Sequence, residues 1–204
     1  VAPAVARAAM DSGVATRPIA DFDVYGETLQ RFVFKSGFIM RNIFAEAKKA
    51  PRRVIYADGE DERVLRAAQV LIEEGLAKPI LVGRPAVIEA RIKRHGLSLS
   101  LGSDLAFINP EDDPRYRDYV ASLVEVGGRK GITPDAARTL VRTSTTVIAA
   151  LAVHRGEADA MICGLEGRYR SKLRLIRDII GLAPGVNELA AMSLMITSRG
   201  IVFL

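Results

Sequence analysis

From residue 52 onward, short β-branched runs alternate with stretches of helical period, and this alternation narrows the folds open to the chain. "RVIYA" reads as a strand. "EDERVLRAAQVLIEEG" follows as a helix, with Val64, Ala68, Leu71 and Ile72 on one face and Gly75 as its C-terminal cap. "KPILVG" and "PAVIEARIKRHG" repeat the strand and helix, with Pro85 near the first helical turn. "LAFINP" and "ADAMICG" are two further strands. Strands joined by short crossover helices run parallel, and a parallel sheet needs helices on both faces. The expected fold class is therefore α/β: a three-layer, doubly wound, mostly parallel sheet.

Between the third and fourth strands, helices are expected over residues 114–127 and 134–141. Another is expected from a cap at Ser144 or Thr145 through Val153, closed by Gly156. Ahead of the sheet, "APAVARAAMDS" forms a short helix and "VATRPIADFD" reads as a linker. Residues 25–49 place Leu29, Phe32, Val33, Ile39, Met40, Ile43, Phe44 and Ala47 at helical spacing, which predicts one long amphipathic helix with a bend point at Gly37. Phe32, Ile39 and Phe44 are expected to be covered by protein. "AAMSLMI", "TSRG" and "IVFL" predict a hairpin opening a second α/β unit. The resulting division is a domain end and linker at 1–20, the long helix at 21–50, the first α/β unit at 51–187 and the start of a second unit at 188–204. An apolar strand running to the last residue implies a longer polypeptide.

The charge balance disfavours several function classes. There are 29 basic and 24 acidic residues, a net +5, and they are interleaved rather than gathered in a basic stripe. With only seven Phe and five Tyr available as stacking platforms, nucleic acid is not expected as a partner. A single cysteine, Cys163, ends an apolar run and reads as a buried structural thiol in a reducing, cytoplasmic setting. His95 and His154 each fall near a helix end, where they favour the dipole, and no Cys/His spacing suggests a metal site. No stretch reaches membrane-span length, so no membrane partner is expected.

In an open parallel sheet, ligands gather at the C-terminal ends of the strands. The first such loop, "ADGEDER", lacks a Gly-x-Gly-x-x-Gly pattern. Its Asp58, Glu60, Asp61 and Glu62 would repel a pyrophosphate and are expected to stabilise the following helix N-terminus. The fourth loop and its helix, "GLEGRYRSKLRLIRDII", offer the opposite chemistry. Arg168, Arg170, Lys172, Arg174 and Arg177 crowd into ten residues beside one acid, Asp178. At 100° per residue Arg170, Arg174 and Arg177 share a face, where like charges repel unless an anion sits among them. Gly164 and Gly167 would let a ligand approach the backbone, and the helix N-terminus adds free N–H groups. An anion site for a phosphorylated ligand is one reading. A solvated cationic face is the other.

Two stretches carry a family resemblance. "RTSTTVIAALAVHRGEADAMICGL" and "LRLIRDIIGLAPGV", with "ADGEDERVLRAAQVLIEEGLAKPILVG" before them, resemble the phosphate acetyltransferase family over residues 52–204. The opening "VAPAVARAAMDSGVATRPI" is similar to the end of the nicotinamide-binding domain of the large bacterial NADP-dependent malic enzymes, which carry a phosphate-acetyltransferase-like domain at the C-terminus. The resemblance implies candidate ligand residues Thr146, Gly164, Gly167, Arg168, Arg170, Arg174 and Arg177, for acetyl-CoA or phosphate. Arg174 matches the family's helix arginine and Thr146 its threonine. The chain departs from the family where Arg168 and Tyr169 replace paired small hydroxyls and Ser171 replaces an acid. Bulky side chains there should fill or re-charge an acetyl phosphate pocket.

These matches imply a catalytically silent regulatory domain that binds acetyl-CoA and oligomerises with itself. In the parent enzyme NADP and a divalent metal, Mg or Mn, would serve domains preceding residue 1. An active phosphate acetyltransferase and a ligand-free oligomerisation domain are the alternatives.

Overall fold

The computed structural model describes residues 2–33, 37–197 and 200–204, with the side chains of residues 27, 30–39 and 200 outside the description. It separates into two compact units. One comprises residues 1–46 and 190–204, the other residues 47–189.

The larger unit is a four-stranded parallel sheet of order β3-β2-β1-β4, formed by β1 (Arg52–Tyr56), β2 (Ala77–Val82), β3 (Ala106–Ile108) and β4 (Ala160–Ile162). Counting helices within this unit, α1 (Glu62–Glu73) and α2 (Pro85–Arg94) link the first three strands. Then α3 (Tyr116–Gly127), α4 (Pro134–Thr143) and α5 (Thr145–His154) lead to β4, and α6 (Tyr169–Ile180) follows it.

Strand alternation builds both faces. Tyr56 and Leu81 point to the side of α1 and α2, where Val64, Leu65, Ala68, Ile88 and Ile92 bury against them. Ile55, Val82 and Ile108 point the other way, into Tyr119, Leu123, Val141, Ile179 and α5. Helices therefore cover both faces, as a parallel sheet requires. The most enclosed element is α5, whose residues Thr146 through Ala152 are all buried. Its run of small and branched apolar residues has no polar face to give to water. Ser144 caps it, accepting from the Val147 N–H at 3.4 Å.

One glycine is fixed by close approach. Gly59 lies so near β2 that an added Cβ would stand 2.7 Å from the Val82 carbonyl oxygen, and its N–H donates to that oxygen at 3.2 Å.

Two polar clusters brace the other end of the strands. The Arg53 guanidinium grips Asp159 through both carboxylate oxygens at 2.8 and 3.2 Å, joining the starts of β1 and β4. The Arg115 and Arg155 guanidinium groups stand 5.7 and 5.6 Å from the centre of the buried Tyr119 ring, and its hydroxyl donates to Glu157 at 2.6 Å. Burial pushes the Tyr119 phenol up. Burial also pushes Glu157 up, but Tyr119, Arg155 and Arg115 together pull it below the usual carboxylate range.

Arg53 holds Asp159 down to about 2, against an ordinary 3.8. A depressed carboxyl stabilises the fold above its unfolded value and loses that contribution as pH falls through its folded value. Thermal midpoints are therefore expected to fall between about pH 4 and pH 2. Asp159→Asn should flatten that limb, and an unchanged limb in the variant would remove Asp159 from the acid transition.

Ahead of the sheet, helices span Ala2–Asp11, Phe22–Val33 and Gly37–Lys49, the last of which ends within the larger unit. The expected long helix at 21–50 is described over these last two stretches, and residues 34–36 between them lie outside the described residues. The Arg7 guanidinium lies 4.8 Å from the centre of the Phe22 ring. Phe44 is 42% exposed, which corrects the expectation that it is covered, while the Phe32 and Ile39 side chains lie outside the described residues. The hairpin forms as anticipated, with β5 (Leu194–Thr197) antiparallel to β6 (Gly200–Phe203).

Candidate functional site

The order β3-β2-β1-β4 places the switch in winding direction between β1 and β4. The loops leaving those strands diverge there, opening a crevice at the carboxyl ends of the sheet. A cleft of about 410 Å³ occupies this edge, and the loops after all four strands contribute to its walls along with the α4–α5 junction. Its volume is in the range of small-molecule sites.

Most charges along the cleft are already partnered. Glu60 holds the Arg84 guanidinium at 2.9 Å through each oxygen and accepts the Arg84 N–H. The Arg91 guanidinium donates to the Glu60 carbonyl oxygen. Asp61 caps α1, accepting from the Arg63 N–H at 2.8 Å, and the Arg63 guanidinium holds its carboxyl down to about 2. Glu62 lies in the first turn of α1 and pairs with Arg66. Two of the four acids expected to serve that helix N-terminus thus do so, whereas Asp58 and Glu60 turn elsewhere. Arg142 stacks over Tyr116, 5.0 Å from the ring centre.

Asp58 reaches across to the β4–α6 loop. Its Oδ2 accepts the N–H groups of Gly164 and Leu165 at 3.0 and 3.1 Å, and its Oδ1 accepts from the Lys172 ammonium at 3.2 Å. The two side chains are only 11% and 19% exposed. Gly164 takes φ +114°, a conformation that favours glycine and aims the next amide at the carboxylate. Cys163 is half-buried beside this pair, and burial pushes its thiol up, away from reactive thiolate chemistry.

The arginines of α6 lie outside the cleft. Arg170, Arg174 and Arg177 are all exposed, and Lys172, Leu175 and Ile179 turn inward. Asp178 moderates their repulsion, standing 3.6 Å from Arg174 and 3.5 Å from Arg177. Lys130 donates to the Asp178 carbonyl oxygen at 2.8 Å. Arg174 remains 79% exposed despite its partner, which leaves it open to a solvent-borne anion. Arg168 takes the N-cap position of α6 without a side-chain capping bond, and Tyr169 is 70% exposed.

The structure therefore brings Arg170, Arg174 and Arg177 together, with Arg168 at the start of the same helix, but it does not bring Thr146 to them. Thr146 is buried inside α5, and its neighbour Thr145 lines the cleft. Gly164 spends its N–H on Asp58, and Gly167 takes φ +82° in the same loop. Sequence reasoning missed Asp58, which carries no local signal for a partner 106 residues away. Among the described residues, no group of three or more His, Cys, Asp or Glu could hold a metal ion, and no helix is long and apolar enough to cross a membrane.

Comparison with known proteins gives a consistent set of likenesses. A family model described as phosphate acetyl/butaryl transferase matches residues 38–204. The NAD-dependent malic enzyme of Rhizobium meliloti (strain 1021) is 62% identical over 204 residues, covering 100% of this chain and 26% of that protein. The NADP-dependent malic enzyme of Escherichia coli (strain K12) is 47% identical over the same 204 residues and 27% of its own length. Among solved structures, a phosphotransacetylase from Streptococcus pyogenes superposes with a TM-score of 0.70 at 25% identity, covering 78% of this chain and 48% of that one. The chain thus spans about a quarter of the length of these curated relatives.

Proposed function

Because the chain belongs to the phosphate acetyl/butaryl transferase family, we propose that it serves as a regulatory, acetyl-CoA-binding segment of a malic enzyme. Similarity along the whole of this chain to about a quarter of each malic enzyme supports that parent, whose proposed reaction is the oxidative decarboxylation of malate to pyruvate. In that parent, NAD or NADP and a divalent metal would be held outside residues 1–204. This chain's own contribution is to bind an effector and to join with other copies of itself, in a cytoplasmic enzyme.

The observation that carries acetyl-CoA binding is the exposed face of Arg170, Arg174 and Arg177 on the helix that follows β4. Arginine presents a planar fork to phosphate oxygens, and three forks along one helical face suit the several phosphates of a CoA ester. An effector regulates only if it binds the active and inactive assemblies with different affinity, so ligation here must favour one arrangement of the parent enzyme.

The transferase alternative requires room for acetyl phosphate beside the CoA thiol. Arg168 and Tyr169 stand where the family carries small hydroxyls, and Ser171 cannot supply the carboxylate of the acid it replaces. Intact protein incubated with acetyl phosphate and CoA is therefore expected to form no acetyl-CoA above background. Turnover that disappears on Arg174→Ala would establish the transferase instead. In parallel, calorimetric titration with acetyl-CoA should show saturable binding and a changed rate of malate decarboxylation. Absence of any binding heat or rate change would leave the oligomerisation role.

A further inference from the structure

We propose that the switch point between β1 and β4 is an anion site whose occupant is the chain's own Asp58 carboxylate. The proposal stands independently of acetyl-CoA binding. The receptor for Asp58 has the composition of a site for a small oxyanion. Two successive backbone N–H groups, from Gly164 and Leu165, converge on one oxygen at 3.0 and 3.1 Å. An ammonium from Lys172 meets the other at 3.2 Å. Consecutive amides aimed into one concavity, with a cation beside them, are a recurrent way of holding carboxylate and phosphate.

Three further observations set Asp58 apart from an ordinary turn aspartate. It does not cap its own helix, because Asp61 performs that role by accepting the Arg63 N–H. Lys172 turns inward to meet it, whereas Arg168, Arg170, Arg174 and Arg177 are all exposed. Asp58 also lines the open cleft at the carboxyl edge of the sheet, so an anion from solvent has a route to the position its carboxylate fills.

The loop that a parallel sheet would offer to a ligand phosphate is therefore already filled from within. An external phosphate is left the exposed α6 face instead. The class of anion that fits the vacated position is set by what fills it now, a small carboxylate such as formate or acetate. Inorganic phosphate is the larger comparison.

The test uses the full polypeptide with Asp58→Ala, which removes the carboxylate and leaves its receptor. The variant is expected to melt below the parent. In 100 mM formate it should regain about 2–5 °C relative to chloride at equal ionic strength, since a ligand bound only by the folded state raises the midpoint by mass action. The parent should move by less than about 1 °C under the same conditions. Hydrogen exchange at the Gly164 and Leu165 amides should quicken in the variant and slow again with formate. Adding Lys172→Met to Asp58→Ala should abolish the recovery.

An inorganic phosphate arm separates a carboxylate-sized site, which recovers with formate alone, from one that accepts any small oxyanion. Either result supports the proposal. If Asp58→Ala does not fold in chloride, Asp58→Ser is examined in the same way. No recovery in formate over chloride in either variant, equal recovery in the parent, or recovery that survives loss of Lys172 would overturn it. So would failure of both variants to fold at any formate concentration.

Discussion

Leu151→Ala is expected to destabilise the chain by about 2–5 kcal/mol, the range for deleting a fully buried leucine. Leu151 is 0% exposed at the centre of α5, where the residues before and after it are also enclosed. Truncation removes apolar surface from the core and leaves a cavity that neighbours on the sheet and on α3, α4 and α6 can only partly close. For a chain of this length the midpoint should fall by about 4–20 °C. Thermal and urea melts measure the change, and an unaltered urea slope would assign it to the native state rather than to a more compact unfolded one. Val70→Ala on α1, at a residue 53% exposed, is the matched control and should shift stability by no more than about 0.5 kcal/mol. A Leu151→Ala loss below about 1 kcal/mol would contradict the enclosed position of α5.

The second large effect is on affinity. Replacing Arg170, Arg174 and Arg177 together by alanine is expected to weaken acetyl-CoA binding by roughly 10²–10³-fold, about 3–4 kcal/mol. Charged hydrogen bonds contribute about 1.5–3 kcal/mol each, but exposed pairs fall toward or below the low end because water screens them. Arg174→Ala alone should lower affinity roughly tenfold, with the effect shrinking as salt rises. Folding should barely change, because these side chains face solvent and Asp178 offsets only part of their mutual repulsion. A calorimetric titration paired with a melting curve decides it. Unchanged affinity in the folded triple variant would reduce the face to a solvated one.

Much of the fold was legible because its signals are local. Val64, Ala68, Leu71 and Ile72 repeat at helical spacing and pack on one side of the sheet. Ser144 announces the start of α5, and Gly75 and Gly156 mark helix ends with positive φ. The shared exposed face of Arg170, Arg174 and Arg177 followed from helical geometry alone. What failed to read was long-range. Nothing adjacent to Asp58 indicates that it holds two amides of a distant loop, and four consecutive-looking acids suggested one shared role. Similarly, "TSTT" shows a helix start but not which hydroxyl faces outward. The phase of α5 buries Thr146 and leaves Thr145 at the cleft, and that phase is fixed by packing on all sides rather than by an amphipathic pattern. Phe44 misled for the opposite reason: apolar spacing marks a surface that could be covered, without supplying the cover.

The position of β1 between β2 and β4 has a consequence for biosynthesis. Val54 pairs with Ala160, and the Arg53–Asp159 clasp beside them spans 106 residues. On a ribosome adding about 5–20 residues per second, β1 emerges about 5–20 s before the strand that completes its second side. During that interval β2 can dock on one flank, but the backbone groups of the other flank stay open in the nascent chain. The clasp and the Asp58 contacts form only once the 160s have been made, so they lock a register already chosen rather than select it. Slowing translation ahead of β4 should prolong this open interval, and with it the window in which a chaperone or a neighbouring nascent chain can compete for the unpaired flank.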